Sequence, residues 1–254
     1  LALGFRPTLV AVWGSDVVNV RGVSRFIVRR TLARADWISA TGEFLGKAAC
    51  DLVKGASERL SVIPFGVTPP DNPTPLPSGP VRLCFLKKHR PIYAPDLLLE
   101  AFSLSRRKVP DIRLSLAGIG PLTESRKRQT EELGLEDAVD FPGYLDYRKV
   151  ESFFSDHHIL VMPSRMESFG VAALEASGCA RPVIATRVGG IPEVVSDGET
   201  GLLVEKENAS SLADAIVRLA TDRELMSRMG QDGRRYVQQK YLWETCLDKM
   251  CELY

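Results

Sequence analysis

The sequence predicts an α/β protein built on parallel sheets, in which a main region follows a shorter opening region. Short apolar runs alternate with amphipathic segments almost throughout the 254 residues, which is typical of strand–helix units on a parallel sheet. Residues 69–80 contain six prolines. Because proline removes a backbone donor and prevents helix, this stretch is predicted as a semi-extended linker. It separates residues 1–68 from the rest.

Residues 1–68 are predicted as the second part of an acceptor-side α/β domain. A doubly wound domain usually needs roughly 100 residues or more, and no strand–helix unit precedes the first strand. We therefore expect a three-stranded remnant with an open sheet edge, which self-association or a complementing chain would cover, unless the chain is simply truncated. Its predicted elements are strands at 9–13, 37–40 and 60–64 and helices at 23–34 and 44–54.

Residues 81–240 are predicted as a complete Rossmann-like parallel-sheet domain, because the same alternation restarts there with greater regularity. The predicted strands are 81–86, 112–117, 139–141, 159–163, 182–186 and 201–204. The predicted helices are 96–107, 123–133, 148–154, 169–177, 209–220 and 224–239, with a final amphipathic helix, 243–254, inside the terminal segment 241–254.

Composition excludes several classes of function. The net charge of +1 gives no reason to expect a nucleic acid partner, and the apolar runs are too short to cross a bilayer. The five cysteines are scattered without a Cys-x-x-Cys pair, which is typical of reduced thiols in a cytoplasmic protein. No Asp-x-Asp pair occurs, and His157 and His158 lack partners at ligand spacing, so no metal site is expected.

The segment from Pro163 to Ala176 is the most informative about chemistry. A strand is predicted to end at Pro163 and a helix to begin near Ser168, after a short loop. That geometry directs free backbone N–H groups and the positive end of the helix dipole at the mouth of a parallel sheet. The sequence therefore predicts an anion site there.

Two carboxylates flank this predicted anion site, Glu167 in the loop and Glu175 in the helix. Eight positions at helical spacing place two side chains about 80° apart, so each addresses a different part of one long ligand. Because a carboxylate repels a phosphate, these two would accept hydrogen bonds from sugar or ribose hydroxyls. The alternative is that Glu167 caps the helix and Glu175 is a solvated helical residue.

The stretch from Glu167 to Val204, ESFGVAALEASGCARPVIATRVGGIPEVVSDGETGLLV, strongly resembles the signature of family 4 glycosyltransferases, which are retaining enzymes of the GT-B fold. The similarity extends upstream to the four segments WGSD (13–16), IPFGV (63–67), GIG (118–120) and FPGYL (141–145). The resemblance implies a GT-B-like fold, in which segment 241–254 returns to the N-terminal region.

The resemblance also implies a nucleotide-sugar site. Glu175 would hold the ribose hydroxyls, and Glu167 would lie beside the donor sugar as a catalytic residue together with Lys87 and Asp16. Gly14 would face the cleft from the acceptor side and also contribute to donor binding. The other implied donor-binding residues are Ser168, Phe169, Gly170 and Val171 through their amides, and Gly118, Gly120 and the backbone around Tyr144 at the nucleobase.

In this family the leaving diphosphate stays on the face that the acceptor approaches and helps to take its proton, so the resemblance implies retention without a cofactor or metal. The protein must then supply positive potential to the diphosphate, usually from two cations after a strand. Here Lys87 keeps the first, Ile92 replaces the second, and Ala94 replaces a glycine. The loss of one preorganised cation costs on the order of 3 kcal/mol of transition-state stabilisation.

The neighbouring cations offer compensation for this loss. Lys88, His89 or Arg90 would swing toward the diphosphate, or the run is an ordinary solvated loop. The sequence leaves both interpretations open.

An early helix carries a basic side. Its arginines lie opposite apolar residues, which predicts either peripheral contact with an anionic membrane that carries a lipid-linked acceptor, or an ordinary surface helix packed on its sheet. The arginines are Arg21, Arg25, Arg29, Arg30 and Arg34, and the apolar residues are Val23, Phe26, Ile27 and Leu32.

These observations predict a retaining transferase that moves a sugar from a UDP- or GDP-sugar to a sugar or lipid-linked alcohol acceptor in polysaccharide or glycolipid synthesis. A nucleotide-binding module without turnover is the alternative, favoured by Ile92 and by the short opening region. A nucleotide-sugar epimerase on the same fold has weaker support from the motifs.

Overall fold

The computed structural model describes residues 7–253, which form two parallel sheets. We call residues 7–66 the N-terminal lobe and residues 81–240 the C-terminal lobe. The three-stranded sheet has the order β1-β2-β3, and the six-stranded sheet has the order β6-β5-β4-β7-β8-β9. The strands are β1 (Leu9–Val12), β2 (Trp37–Ala40), β3 (Leu60–Val62), β4 (Arg82–Leu86), β5 (Arg113–Ala117), β6 (Val139–Gly143), β7 (Ile159–Met162), β8 (Val183–Thr186) and β9 (Gly201–Val204).

Helices connect the strands, as parallel pairing requires. They are α1 (Gly22–Arg34), α2 (Glu43–Leu52), α3 (Pro95–Arg106), α4 (Thr123–Glu132), α5 (Val150–Ser155), α6 (Val171–Gly178), α7 (Ile191–Val194), α8 (Ala209–Thr221), α9 (Arg223–Lys240) and α10 (Trp243–Leu253). The predicted α/β class is therefore confirmed. The predicted final helix includes Tyr254, which lies outside the described residues.

In the C-terminal lobe, helices cover both faces of the sheet. Every residue of β7 and β8 is buried, which explains why these strands are continuous apolar runs and do not alternate. On one face α3 and α8 bury residues such as Phe102 and Ile216, and on the other α6 and α9 bury residues such as Leu174 and Val237. The sheet is thus fixed from both sides, and the loops at its ends can carry function.

The N-terminal lobe has its own core, in which Leu32, Ile38 and Leu45 are almost completely buried. Its three strands pair in parallel, and β1 has a neighbour on one side only among the described residues. The three predicted strands and two predicted helices are all present.

The proline-rich stretch 69–80 is held against the C-terminal lobe. Prolines supply carbonyl oxygens but no N–H, so side chains must satisfy these acceptors. Arg234 donates to Pro70 O at 2.6 Å, and the almost fully buried Arg181 donates to Thr74 O at 3.0 Å. The stretch contains no helix or strand, as predicted, and it is anchored along its length.

The chain crosses between the lobes a second time next to this stretch. Val67 N donates to Tyr241 O at 2.8 Å and Trp243 N donates to Val67 O at 3.0 Å. A methyl group on Gly66 would lie 2.5 Å from the Cα of Trp243, so the two crossings touch. α10 then lies beside β3, where Ser61 and Lys249 border one shallow cavity.

Two differences from the sequence predictions bear on the candidate site. The helix predicted to begin near Ser168 begins at Val171, because Gly170 has a φ of +110° that interrupts helical geometry. Glu167 therefore lies outside the helix, and the 80° helical angle between it and Glu175 does not apply. α7 was not predicted at all, since four residues are too few to show a helical period.

Candidate functional site

The candidate site lies where the strand order of the large sheet reverses. β4 pairs with β5 on one side and with β7 on the other, so the loops after these three strands meet at one edge. Lys87 follows β4, Gly118 follows β5, and Ser164 to Ser168 follow β7. Ligands of open parallel sheets bind in the crevice at such a reversal.

Lys87 and Glu167 form an ion pair in this crevice. Lys87 Nζ lies 2.8 Å from Glu167 Oε2, and the two side chains are only 17% and 11% exposed. The contact is electrostatic, because Oε2 accepts no aligned hydrogen bond. Lys87 Nζ also lies 5.2 Å from the ring centre of Tyr93. The ammonium group of Lys87, the family cation that this sequence keeps, is therefore largely shielded from solvent.

Glu175 projects from the second turn of α6 and is half-buried. Burial raises the pKa of its carboxyl above the usual value, and the positive charge of Lys87 lowers it in part. No side chain among residues 7–253 donates a hydrogen bond to this carboxylate. A desolvated carboxylate without a donor fits a ligand that carries hydroxyl groups.

The N-terminus of α6 is open. No side chain caps it, and Gly170 places the Gly170–Ala172 amides at the end of the helix dipole. The side chain of Phe169 does not face this opening, because it is buried with its ring centre 6.0 Å from the rings of both Phe65 and Tyr241. Phe169 can contribute to an anion site through its backbone only.

Glycines bring the loops of the site together. A methyl group on Gly118 would overlap the carbonyl of Lys87, and one on Gly120 would lie 2.5 Å from His89 O. Similarly, Gly190 N donates to Glu167 O at 3.1 Å, and a methyl group on Gly189 would overlap that same carbonyl. The Gly189-Gly190 pair belongs to the resemblance motif, but its role in supporting Glu167 was not predicted.

Glu175 borders a cavity of about 170 Å³ that reaches the proline-rich stretch. Tyr147, Arg148 and Glu151 line its outer wall. Tyr144 is 74% exposed and does not line this cavity, and the expected contact of its backbone with the nucleobase stays a prediction. The aromatic residues at its wall are Tyr147 and Phe154.

A second cavity, of about 330 Å³, lies between the lobes. Trp13 to Asp16 approach it from the N-terminal lobe, and Ile92 and Glu167 approach it from the C-terminal lobe. Asp16 accepts hydrogen bonds from Trp13 N at 3.0 Å and Gly14 N at 2.5 Å, so its carboxylate shapes the loop. A methyl group on Gly14 would lie 2.6 Å from Ser168 Oγ, so the two loops approach each other closely there.

The basic residues near Ile92 differ in their burial and in their partners. His89 is fully buried, and its Nδ1 lies 3.0 Å from Thr123 Oγ1, so it cannot swing toward the crevice. Lys88 and Arg90 are exposed and have no ion-pair partner among the described residues. Arg165 forms ion pairs with Asp96 and Glu207. Lys87 is thus the one cation among these that is already in place.

The other histidines are structural. His157 contacts Phe153 O at 2.6 Å and Ser115 Oγ at 2.8 Å, and His158 accepts from Arg82 N at 3.0 Å. Within residues 7–253 no group of three or more His, Cys, Asp or Glu side chains is arranged to hold a metal ion. The expected metal independence stays a prediction.

α1 buries only Leu32. Its exposed apolar residues are Val23, Phe26 and Ile27, at 75%, 65% and 56% exposure. Packing against the sheet therefore does not account for these three side chains. No helix among the described residues combines the length and apolar character that a bilayer span requires.

Comparison with known proteins places this arrangement in a class. Residues 71–236 match the family described as glycosyl transferases group 1, and the chain belongs to that family. Among solved structures, the HepE protein of Anabaena in complex with UDP and glucose superposes over 97% of this chain and 71% of its own, with a TM-score of 0.84 and 19% identity. Sucrose-phosphate synthase of Thermosynechococcus elongatus superposes over 95% and 63%, with a TM-score of 0.80 and 27% identity. The fold is GT-B-like.

Curated relatives are named glycosyltransferases. An uncharacterized glycosyltransferase of Methanocaldococcus jannaschii is 35% identical over 63% of this chain and 43% of its own length. A GDP-mannose-dependent alpha-(1-6)-phosphatidylinositol monomannoside mannosyltransferase of Mycolicibacterium smegmatis is 32% identical over 68% and 47%. A D-inositol 3-phosphate glycosyltransferase of Arthrobacter sp. is 34% identical over 64% and 40%. The matched part is thus less than half the length of each of these relatives.

Proposed function

We propose that this protein is a family 4, retaining glycosyltransferase that moves a sugar from a nucleotide-sugar to an alcohol acceptor in polysaccharide or glycolipid synthesis. The observation that carries the proposal is the meeting of Lys87, Glu175 and the open N-terminus of α6 at the reversal of the large sheet. A nucleoside diphosphate has a ribose for Glu175 and negative charge for the other two groups. The names of the related glycosyltransferases support this substrate class.

The proposed transfer needs no protein nucleophile. The bond between the anomeric carbon and the phosphate oxygen breaks while the acceptor oxygen bonds to the same face of that carbon, and the acceptor proton passes to the leaving phosphate. Lys87 and the α6 amides stabilise the charge that develops on the diphosphate. Glu167 holds Lys87 in place through the 2.8 Å ion pair and addresses the sugar. Asp16 and Gly14 border the acceptor side of the cleft.

The alternative functions remain distinguishable by experiment. A binding module without turnover would bind a nucleoside diphosphate but transfer no sugar, and Ile92 at the cleft favours this alternative. An epimerase would release a free epimerised nucleotide-sugar. Incubation with radiolabelled UDP- and GDP-sugars, with and without alcohol acceptors, separates the three.

Substitution of Glu175 by alanine is expected to weaken nucleoside diphosphate binding by about 1–3 kcal/mol, because two ribose hydrogen bonds to a charged acceptor are lost. Calorimetric titration with UDP, GDP and ADP measures the effect and identifies the base. Glu205→Ala, at an exposed carboxylate of the same lobe, is the control and should bind as the unmodified protein does. Equal nucleotide affinity of Glu175→Ala and the control would show that Glu175 does not contact the nucleotide.

The raised pKa of Glu175 predicts a pH dependence. Because the folded-state pKa lies above the unfolded one, the charged carboxylate costs stability at neutral pH, and that cost declines as the pH falls from the folded-state pKa toward the unfolded-state pKa. Glu175→Gln is therefore expected to raise the Tm at pH 7 while it weakens nucleotide binding. Affinity of the unmodified protein should fall on mild acidification, and this part of the decrease should be absent in Glu175→Gln.

We further propose peripheral contact of α1 with the cytoplasmic face of an anionic membrane. Its five neighbouring arginines and its three exposed apolar residues supply the charge and the insertion surface that such contact requires. The protein is expected to co-sediment with phosphatidylglycerol vesicles and to stay in the supernatant with phosphatidylcholine vesicles. Phe26→Ser should reduce the retained fraction several-fold. Equal retention by both lipids would contradict the proposal.

A further inference from the structure

The lobes are joined by a contact that belongs to neither cavity. Glu193 in α7 of the C-terminal lobe accepts hydrogen bonds from Glu43 N and Phe44 N at the start of α2 in the N-terminal lobe, each at 2.8 Å. The residues are about 150 positions apart in sequence. A carboxylate from one lobe therefore caps a helix of the other lobe.

α2 lacks a cap of its own. Its N-cap residue is Gly42, which has no side chain to accept from the first-turn amides. Each of the two Glu193 oxygens takes one of these amides, so the cap is charge-assisted and also complements the helix dipole. Gly42 is required to be small, since a methyl group there would lie 2.6 Å from Glu193 Oε2.

Glu193 is fixed from behind by the inter-lobe crossing. The hydroxyls of Tyr236 and Tyr241 donate to Glu193 O at 2.8 and 2.7 Å, and Tyr241 O accepts from Val67 N at the crossing. α7 also follows Gly189-Gly190, which supports Glu167. The segment 189–194 thus contacts the inter-lobe crossing, the loop of the candidate site and the opposite lobe.

From these contacts we infer that Glu193 is a positioning residue that sets the orientation of the two lobes by capping α2 across the cleft. The inference rests on the proposed transferase function for its kinetic consequence only. In the observed orientation Gly14 lies against Ser168, and the loop from Trp13 to Asp16 borders the inter-lobe cavity together with Glu167. Without the cap, the lobes open at the crossing, while the nucleotide site within the C-terminal lobe remains intact.

Three variants separate positioning from helix stabilisation. Glu193→Ala removes the cap. Gly42→Ser places a local cap on α2, because Gly42 has extended backbone (φ −170°) that serine adopts, but its Cβ displaces the Glu193 carboxylate. The double variant has a capped α2 without the inter-lobe bond. Glu205→Ala is the matched control.

Small-angle scattering, the Tm and the nucleoside diphosphate Kd are measured for each variant. Glu193→Ala is expected to lower the Tm and to increase the radius of gyration, with Kd changed by less than about threefold. The double variant should regain the Tm but keep the larger radius. Where transfer is detected, its kcat should be lower by about tenfold and stay low in the double variant.

The result that overturns the inference is a radius of gyration in Glu193→Ala and Gly42→Ser equal to that of the control. Recovery of kcat in the double variant would also overturn it, because Glu193 would then serve only to stabilise α2. If the unmodified chain transfers no sugar, the proposed function fails, yet scattering still tests the orientation of the lobes.

Discussion

Replacement of Lys87 by alanine is expected to lower kcat/KM about 10²–10³-fold, because it removes the positioned cation from the developing charge of the diphosphate. The effect should exceed that of a surface cation, since Lys87 is only 17% exposed and its charge is poorly screened. The substitution also leaves Glu167 as a nearly buried carboxylate without its cation, next to the diphosphate. Nucleoside diphosphate affinity should fall as well, which makes the prediction testable by calorimetry before an acceptor is known.

Lys88→Ala is the matched control, because Lys88 is the next residue, carries the same charge and is exposed. Its expected effect is within a few-fold. Similar losses in the two variants would show that the loop acts through its net charge, and that the position of Lys87 is not special.

Addition of a cation at Ile92 tests the same charge requirement that removal of Lys87 tests. Its side chain is 42% exposed and lines the inter-lobe cavity with Glu167, so a lysine there has room and a carboxylate nearby. Ile92→Lys is expected to raise diphosphate affinity and to recover part of the loss in Lys87→Ala. No recovery would show that this position does not address the diphosphate in this protein.

The strands were predictable because each is a short apolar run between turn residues, and all nine predicted strands are present. Burial on both faces makes such runs visible without any tertiary information. The N-terminal limit of α6 was not predictable in the same way. Phe169 and Gly170 continue the apolar pattern of the helix, but Gly170 has a φ of +110°, and a methyl group there would lie 2.9 Å from Ile191 Cδ1, a tertiary contact that the local pattern does not reveal.

Placement of Glu167, Glu175 and Lys87 near one another follows from local sequence and parallel topology, since the carboxyl ends of adjacent strands share an edge. The cap on α2 does not follow from any local pattern. Gly42 lacks a capping side chain, and its partner Glu193 lies in a four-residue helix of the other lobe. Likewise, the burial of His89 depends on Phe85 and Phe141 from two different strands, and the loop sequence alone does not reveal it.

Replacement of Gly189 by alanine is expected to produce the largest loss of stability, about 3 kcal/mol or more, with a Tm lower by roughly 10 °C. Gly189 has a φ of +54°, and the new methyl group would overlap the carbonyl of Glu167, a backbone atom that cannot rotate away. The loop that holds Glu167 and Ser168 must then shift. Nucleoside diphosphate binding should therefore weaken together with the loss of stability, as measured by thermal unfolding and calorimetry.

Gly134→Ala separates the two causes. Gly134 has a similar φ of +64°, but a methyl group there meets nothing within 4 Å. It is expected to cost only the left-handed backbone penalty of about 1 kcal/mol and to leave nucleotide binding unchanged. The difference between the stability losses of Gly189→Ala and Gly134→Ala measures the cost of the steric overlap with the Glu167 carbonyl. If both lose the same stability and bind nucleotide equally well, the close approach of Gly189 to Glu167 does not support the site.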